Sequence, residues 1–170
     1  MTTTTSERFH SSHSARGMRV AIVVSSFHSD ITETLLNGTQ ECLRQHGARE
    51  SDLAVFRCPG AFELPQTANK LAEQKRWDAI VCLGAVIRGE TPHFEYVASQ
   101  SATGIQQTAL KHGLPVIFGV LTTDTVQQAA DRAGGKHGNK GWDAAIAAME
   151  MIALFRALKR KPARPSRRRQ

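Results

Sequence analysis

Four short apolar runs punctuate the chain: Arg19–Val24, Leu53–Phe56, Ala79–Leu83 and Pro115–Leu121. Each is too short for a buried helix and reads as a strand covered on both faces, as in a parallel sheet. Between them apolar positions recur at helical spacing. Ile31, Leu35, Cys42 and Leu43 form one stripe, opened by Asp30 and Glu33 at capping-box spacing and closed at Gly47. Ala68 and Leu71 mark a second helix after Glu63, and Phe94, Val97, Ala98, Ile105 and Ala109 a third that ends at Gly113. Thr122 and Thr123 are placed to cap a fourth, which ends near Arg132, Ala133 and Gly134. The last helix, from about Trp142 to Leu158, turns Ala145, Met149, Ile152 and Phe155 inward.

This alternation predicts an α/β domain of flavodoxin-like type, a three-layer sandwich with a four-stranded parallel sheet and helices on both faces. In such sheets ligands bind beyond the carboxyl ends of the strands. The segments Ser25–His28, Pro59–Glu63 and Gly84–His93 are therefore expected to converge on one edge. Gly89 permits close approach of backbone to a ligand, Thr91 can cap or donate, and Pro92 suits a first helical turn. His93 stands at that helix mouth. Phe27 either packs over the sheet end or stacks on a planar ligand, and Glu63 either complements a helix dipole or accepts hydrogen bonds from a ligand. The loop Gly134–Gly141, with four glycines and two lysines, lacks P-loop spacing, so it implies no nucleotide triphosphate.

Composition narrows the class. A chain of 170 residues with 41% hydrophobic and 22% charged residues suits one soluble domain with a real core. No run reaches membrane-spanning or secretory length. Cys42, Cys58 and Cys82 are odd in number, widely spaced and set in apolar patterns, which predicts reduced core thiols in a cytoplasmic protein. The net charge of +7 is matched by Lys159, Arg160, Lys161, Arg164, Arg167, Arg168 and Arg169, in a segment without acids. The basicity thus belongs to a tail and not to a folded groove. Residues 1–17 read as a flexible arm, 18–158 as the folded domain and 159–170 as a disordered basic tail. His10 and His13 in the arm are read as an incidental pair, so no metal site is expected.

Taken together the motifs resemble those of the 6,7-dimethyl-8-ribityllumazine synthase family. They run in order: Pro59 to Pro65 (PGAFELP), Gly84 to Phe94 (GAVIRGETPHF), Gly119 to Thr123 (GVLTT), Arg132-Ala133-Gly134, and Gly138 to Gly141 (GNKG). The resemblance covers about residues 18–158. It implies condensation of 5-amino-6-(D-ribitylamino)uracil with L-3,4-dihydroxy-2-butanone 4-phosphate in riboflavin biosynthesis, releasing phosphate and water, without metal or organic cofactor. It also implies a homo-oligomer of pentamers with sites between neighbours, and association with riboflavin synthase. By position it makes Phe27 the aromatic on the uracil ring, and Ala61, Phe62 and Glu63 the contacts to uracil and ribityl chain. Ala85, Val86 and Ile87 become the backbone that reads the pyrimidine edge. Glu90, Thr91 and Arg132 hold the phosphate, and His93 transfers protons. Phe118 is contributed by a neighbouring subunit, and Lys140 lies near the site. The compact loop Gly134–Gly141 goes, in that family, with pentamers assembled into an icosahedral shell. His28 stands where Asn is common, and Asp143 where Glu is frequent.

Two other classes remain open to the sequence. A non-catalytic binder of FMN or a phosphorylated sugar would share the fold. A nucleic-acid binder would act through the tail.

Overall fold

The computed structural model describes residues 13–159. Four parallel strands, β1 (Val20–Ser25), β2 (Leu53–Cys58), β3 (Ala79–Ile87) and β4 (Val116–Thr123), form one sheet in the order β2-β1-β3-β4. Among the described residues the α-helices are α1 (Ser29–Gln45), α2 (Leu64–Glu73), α3 (His93–His112), α4 (Val126–Arg132) and α5 (Lys140–Lys159). The flavodoxin-like architecture expected from the apolar pattern is therefore present.

Alternation along the strands divides the core into two layers. Val20, Ile22 and Val24 of β1 face α1 and α5 with Leu35, Leu43, Val81, Leu83, Met149 and Ile152. Ala21 and Val23 face α2 and α3 with Leu64, Leu71, Ile80, Cys82 and Ile105. Burial on both faces is why these strands are continuous apolar runs and not alternating ones.

The first layer depends on a close approach of α1 to α5. A Cβ on Gly141 would lie 2.0 Å from the Leu35 carbonyl oxygen, and one on Gly38 only 2.3 Å from the Asn139 side chain. Thr39 donates its hydroxyl to the Gly141 carbonyl at 2.8 Å. Asn139 donates to the Thr34 carbonyl at 2.9 Å and accepts from the Gly141 N–H at 2.8 Å, which caps the start of α5.

Several boundaries differ from the sequence reading. β3 runs through Gly84 to Ile87, because Ala85, Val86 and Ile87 continue the ladder with Leu121, Thr122 and Thr123. The same ladder absorbs Thr122 and Thr123, so α4 is capped by Thr125, whose side chain accepts from the Gln128 N–H. The Asp30–Glu33 capping box does not form. His28, at φ 58°, opens α1 without a side-chain cap, and Glu33 instead pairs with Arg57 on β2. Hydrogen bonding from Arg57 holds the Glu33 carboxyl below its ordinary pKa. The glycine-rich loop contains a short antiparallel hairpin, β5 (Ala133–Gly135) with β6 (Gly138–Asn139), and α5 begins at Lys140.

The packed body also starts earlier than residue 18. Ala15 is fully buried and donates its N–H to the His46 carbonyl, and His13 pairs with Glu150 at 2.8 Å. His10 and the basic tail beyond Lys159 lie outside the described residues. Among the described residues no group of three His, Cys, Asp or Glu side chains could hold a metal, and no helix is long and apolar enough to cross a membrane.

The Gly141 contact generates a test. Gly141→Ala must push α5 off the α1 backbone, and overpacking of this kind costs about 1–3 kcal/mol. A thermal melt should show a midpoint several degrees lower. An unchanged midpoint would contradict this packing.

Candidate active site

The strand order places a switch point between β1 and β3, since the chain leaves β1 toward β2 and leaves β3 toward β4. The pairing of β1 with β3 ends at Val24 and Leu83. Pairing of β3 with β4 continues four residues further, from Gly84 opposite Val120 to Ile87 opposite Thr123. Beyond Leu83, then, the β1-facing edge of β3 has no strand partner among the described residues. A parallel strand directs the N–H and C=O groups of alternate residues to each edge; Ile80 and Arg88 donate to the β4 side, so Ala85 and Ile87 turn unpaired backbone donors and acceptors to the open edge.

An open cavity of about 580 Å³ lies at this position. Its size falls within the range of small-molecule sites. Phe27, Ala61, Phe62, Glu63, Ala85, Val86, Ile87, Thr91 and His93 all line it, so nine of the thirteen residues singled out from sequence share one cavity.

Each wall has a local cause. The β1–α1 turn is tied down by its backbone: Ser26 N–H donates to the Cys58 carbonyl at 2.8 Å and Phe27 N–H to the Pro59 carbonyl at 3.0 Å. Thr32 donates its hydroxyl to the Ser25 carbonyl at 2.8 Å. Phe27 is consequently held out over the cavity, 66% exposed, with the His28 ring edge-on at 4.5 Å between centroids. This favours the ligand-stacking alternative over packing against the sheet end. The segment Ala61–Glu63 forms a single 3-10 turn before α2, and Ser101 of α3 donates to the Ala61 carbonyl at 2.9 Å. Gly84 lacks the Cβ that would press on the Leu64 side chain at 3.0 Å, so this turn sits close to β3.

The third wall is the β3–α3 connection. His93 is the first residue of α3 and is exposed. Thr91 does not cap the helix: Pro92 occupies the cap position and no side chain bonds the first turn. Glu95 N–H donates to the Pro92 carbonyl at 3.0 Å, and the N–H groups of His93 and Phe94 are left for an anion.

Four of the thirteen residues stand elsewhere. Glu90 precedes Thr91 in the exposed loop but does not line the cavity. Phe118 lies on β4, 43% exposed. Arg132 ends α4 and donates to the Gln128 carbonyl of its own helix at 2.9 Å. Lys140 pairs with Asp143 at 2.7 Å at the start of α5. None of Phe118, Arg132 and Lys140 reaches the cavity of its own chain. Conversely, the cavity includes Tyr96 and Val97, which the sequence reading did not place there. Their spacing from His93, one helical turn, is the signal that places them on the same face.

The comparisons with known proteins agree with one another. The profile of a family described as 6,7-dimethyl-8-ribityllumazine synthase matches residues 17–156. The 6,7-dimethyl-8-ribityllumazine synthase of Syntrophus aciditrophicus (strain SB) is 54% identical over 144 residues, 85% of this chain and 94% of that protein. The protein of the same name from Chlorobium phaeovibrioides (strain DSM 265 / 1930) is 51% identical over 144 residues, 85% of this chain and 93% of its own length.

Cys58 adjoins this site but is not equipped to act in it. Burial, then the nearby Glu63 charge, pushes its thiol up to about 11. Burial likewise raises Cys42 to about 11 and Cys82 further still. All three are free thiols, as the apolar patterns predicted. A buried thiol that stays protonated is a poor nucleophile. Native protein at pH 8 should therefore leave Ellman's reagent uncoloured, and unfolded protein should titrate all three cysteines. Rapid colour from the native protein would contradict this reading.

Proposed function

This chain belongs to the 6,7-dimethyl-8-ribityllumazine synthase family, and we propose that it carries out the family's condensation in riboflavin biosynthesis. The substrates are 5-amino-6-(D-ribitylamino)uracil and L-3,4-dihydroxy-2-butanone 4-phosphate. The observation that carries this reading to the residues is the convergence of Phe27, Ala61–Glu63, Ala85–Ile87, Thr91 and His93 on one cavity at the switch point.

In this reading the uracil ring lies against Phe27, and its polar edge meets the unpaired backbone of Ala85 and Ile87. The ribityl chain runs past Ala61, Phe62 and Glu63. The phosphate of the second substrate takes the free N–H groups at the start of α3, with Thr91 beside them. Glu90 contributes backbone there, because its carboxylate would repel the dianion. Arg132 and Phe118 stand away from the cavity of their own chain, which supports their entering the site of an adjacent subunit. A guanidinium can hold two phosphate oxygens at once. Lys140, engaged by Asp143, has a secondary part near that site.

The chemistry begins with attack of the 5-amino group on the ketone and loss of water to an imine. Phosphate elimination and tautomerisation generate a second carbonyl, and attack of the ribitylamino nitrogen on it with loss of a second water completes the ring. Each step moves a proton, and His93 at the cavity mouth is the group that takes and returns it. Because the two substrates are mutually reactive, much of the acceleration comes from holding them together. In this reading the condensation uses neither metal nor organic cofactor.

We further propose a cytoplasmic pentamer, with the short β5–β6 hairpin supporting assembly into an icosahedral shell. Light scattering in phosphate buffer should report a particle far larger than a pentamer; a pentamer-sized particle would rule out the shell. For the reaction, mixing both substrates with the protein should produce lumazine fluorescence. His93→Ala should slow turnover at saturating substrate on the order of 10- to 100-fold without abolishing it. Turnover equal to wild type would remove His93 from the mechanism.

A further inference from the structure

The loop that carries Glu90 and Thr91 is poorly held by packing. Residues 89–93 are all exposed, a Cβ on Gly89 would meet nothing within 4 Å, and no side chain caps the helix that follows. Yet this loop must hold helix N–H groups, a hydroxyl and an imidazole in fixed relation to a phosphate. Something other than burial has to fix it.

Arg88 immediately precedes the loop. Its backbone N–H donates to the Thr123 carbonyl at 2.9 Å, continuing the β3–β4 ladder. Its side chain uses two edges and a face of the guanidinium. Nε donates to Asp124 Oδ1 at 2.7 Å, beyond the end of β4. Nη1 donates to Glu95 Oε1 at 2.7 Å, in the first turn of α3. The plane lies over the Phe94 ring at 4.2 Å. The contacts to Glu95 and Phe94 bridge from one end of the loop to the other, and the contact to Asp124 anchors that bridge to the sheet.

We propose that Arg88 is a positioning residue that closes the loop of residues 89–92 into a ring against the end of β4, setting Thr91 and His93 for the phosphate-bearing substrate. The inference rests on the reaction proposed above. Exposed ion pairs contribute little to global stability. Removing these should therefore leave the fold intact and change the loop. A lysine, as a point charge, cannot reproduce two edges and a face.

The test varies each substrate separately in steady state for wild type, Arg88→Ala, Arg88→Lys and the double variant Glu95→Gln/Asp124→Asn. Arg88→Ala should raise KM for the butanone phosphate by about tenfold or more. It should leave KM for the pyrimidine within about twofold and the thermal midpoint within a few degrees. Arg88→Lys should recover less than half of that loss. The double variant should reproduce the loss with Arg88 intact, because the anchor and the bridge have lost their charge. Unchanged KM in Arg88→Ala would overturn the proposal. So would equal rises for both substrates. Full rescue by lysine, together with tighter phosphate binding in the double variant, would also overturn it, since Arg88 would then act as a distant charge. Failure of the reaction itself reads out separately, as wild-type protein that forms no lumazine.

Discussion

The unequal length of the two ladders on β3 is the constraint from which the site follows. β1 ends its pairing at Leu83, whereas β4 stays paired to Ile87. The outer residues of β3 are buried through Val86, so the strand cannot peel away into solvent. It instead projects past its neighbour with one hydrogen-bonding edge unpaired. Unpaired backbone next to a cavity is costly unless a ligand or water meets it. A flat heterocycle with donors and acceptors along one edge suits that requirement.

The rest of the molecule holds this overhang in place. On one face α1 and α5 meet where Gly141 lies against the Leu35 backbone and the Asn139 side chain fills the space that Gly38 leaves. On the other face α2 and α3 bracket the turn Ala61–Glu63 and present His93, Tyr96 and Val97 toward the cavity. Phe118 and Arg132 do not line the cavity of their own chain. A site with a stacking face on one chain and a guanidinium on the next is the arrangement proposed here, and it makes catalysis depend on assembly.

Much of this was legible in the residues because parallel strands buried on both faces leave contiguous apolar runs that need no partner to be seen. Phe27, Glu63 and His93 stood out as chemistry at strand ends. Boundaries were less legible where a local signal competed with a non-local one. Gly84 reads as a turn residue but sits inside a ladder imposed by β4. Asp30 and Glu33 have capping-box spacing, yet Glu33 is drawn to Arg57, 24 residues away. Thr122 and Thr123 look like caps until the register with Val86 and Ile87 takes them. The Arg88, Glu95 and Asp124 cluster was invisible for the same reason: it joins residues 36 apart and exists only once β3 and β4 are in register. The docking of His13 and Ala15 onto α1 and α5 likewise has no periodicity to betray it.

In the proposed mechanism catalysis requires a site shared between subunits. Complementation addresses this directly. Phe27→Ala and Arg132→Ala proteins would be assayed alone and then co-expressed, so that mixed oligomers form. Random mixing should restore both wild-type side chains at about a quarter of the sites, and lumazine formation should rise well above that of either variant. Activity in the mixed oligomers no greater than the average of the two separate proteins would contradict a shared site.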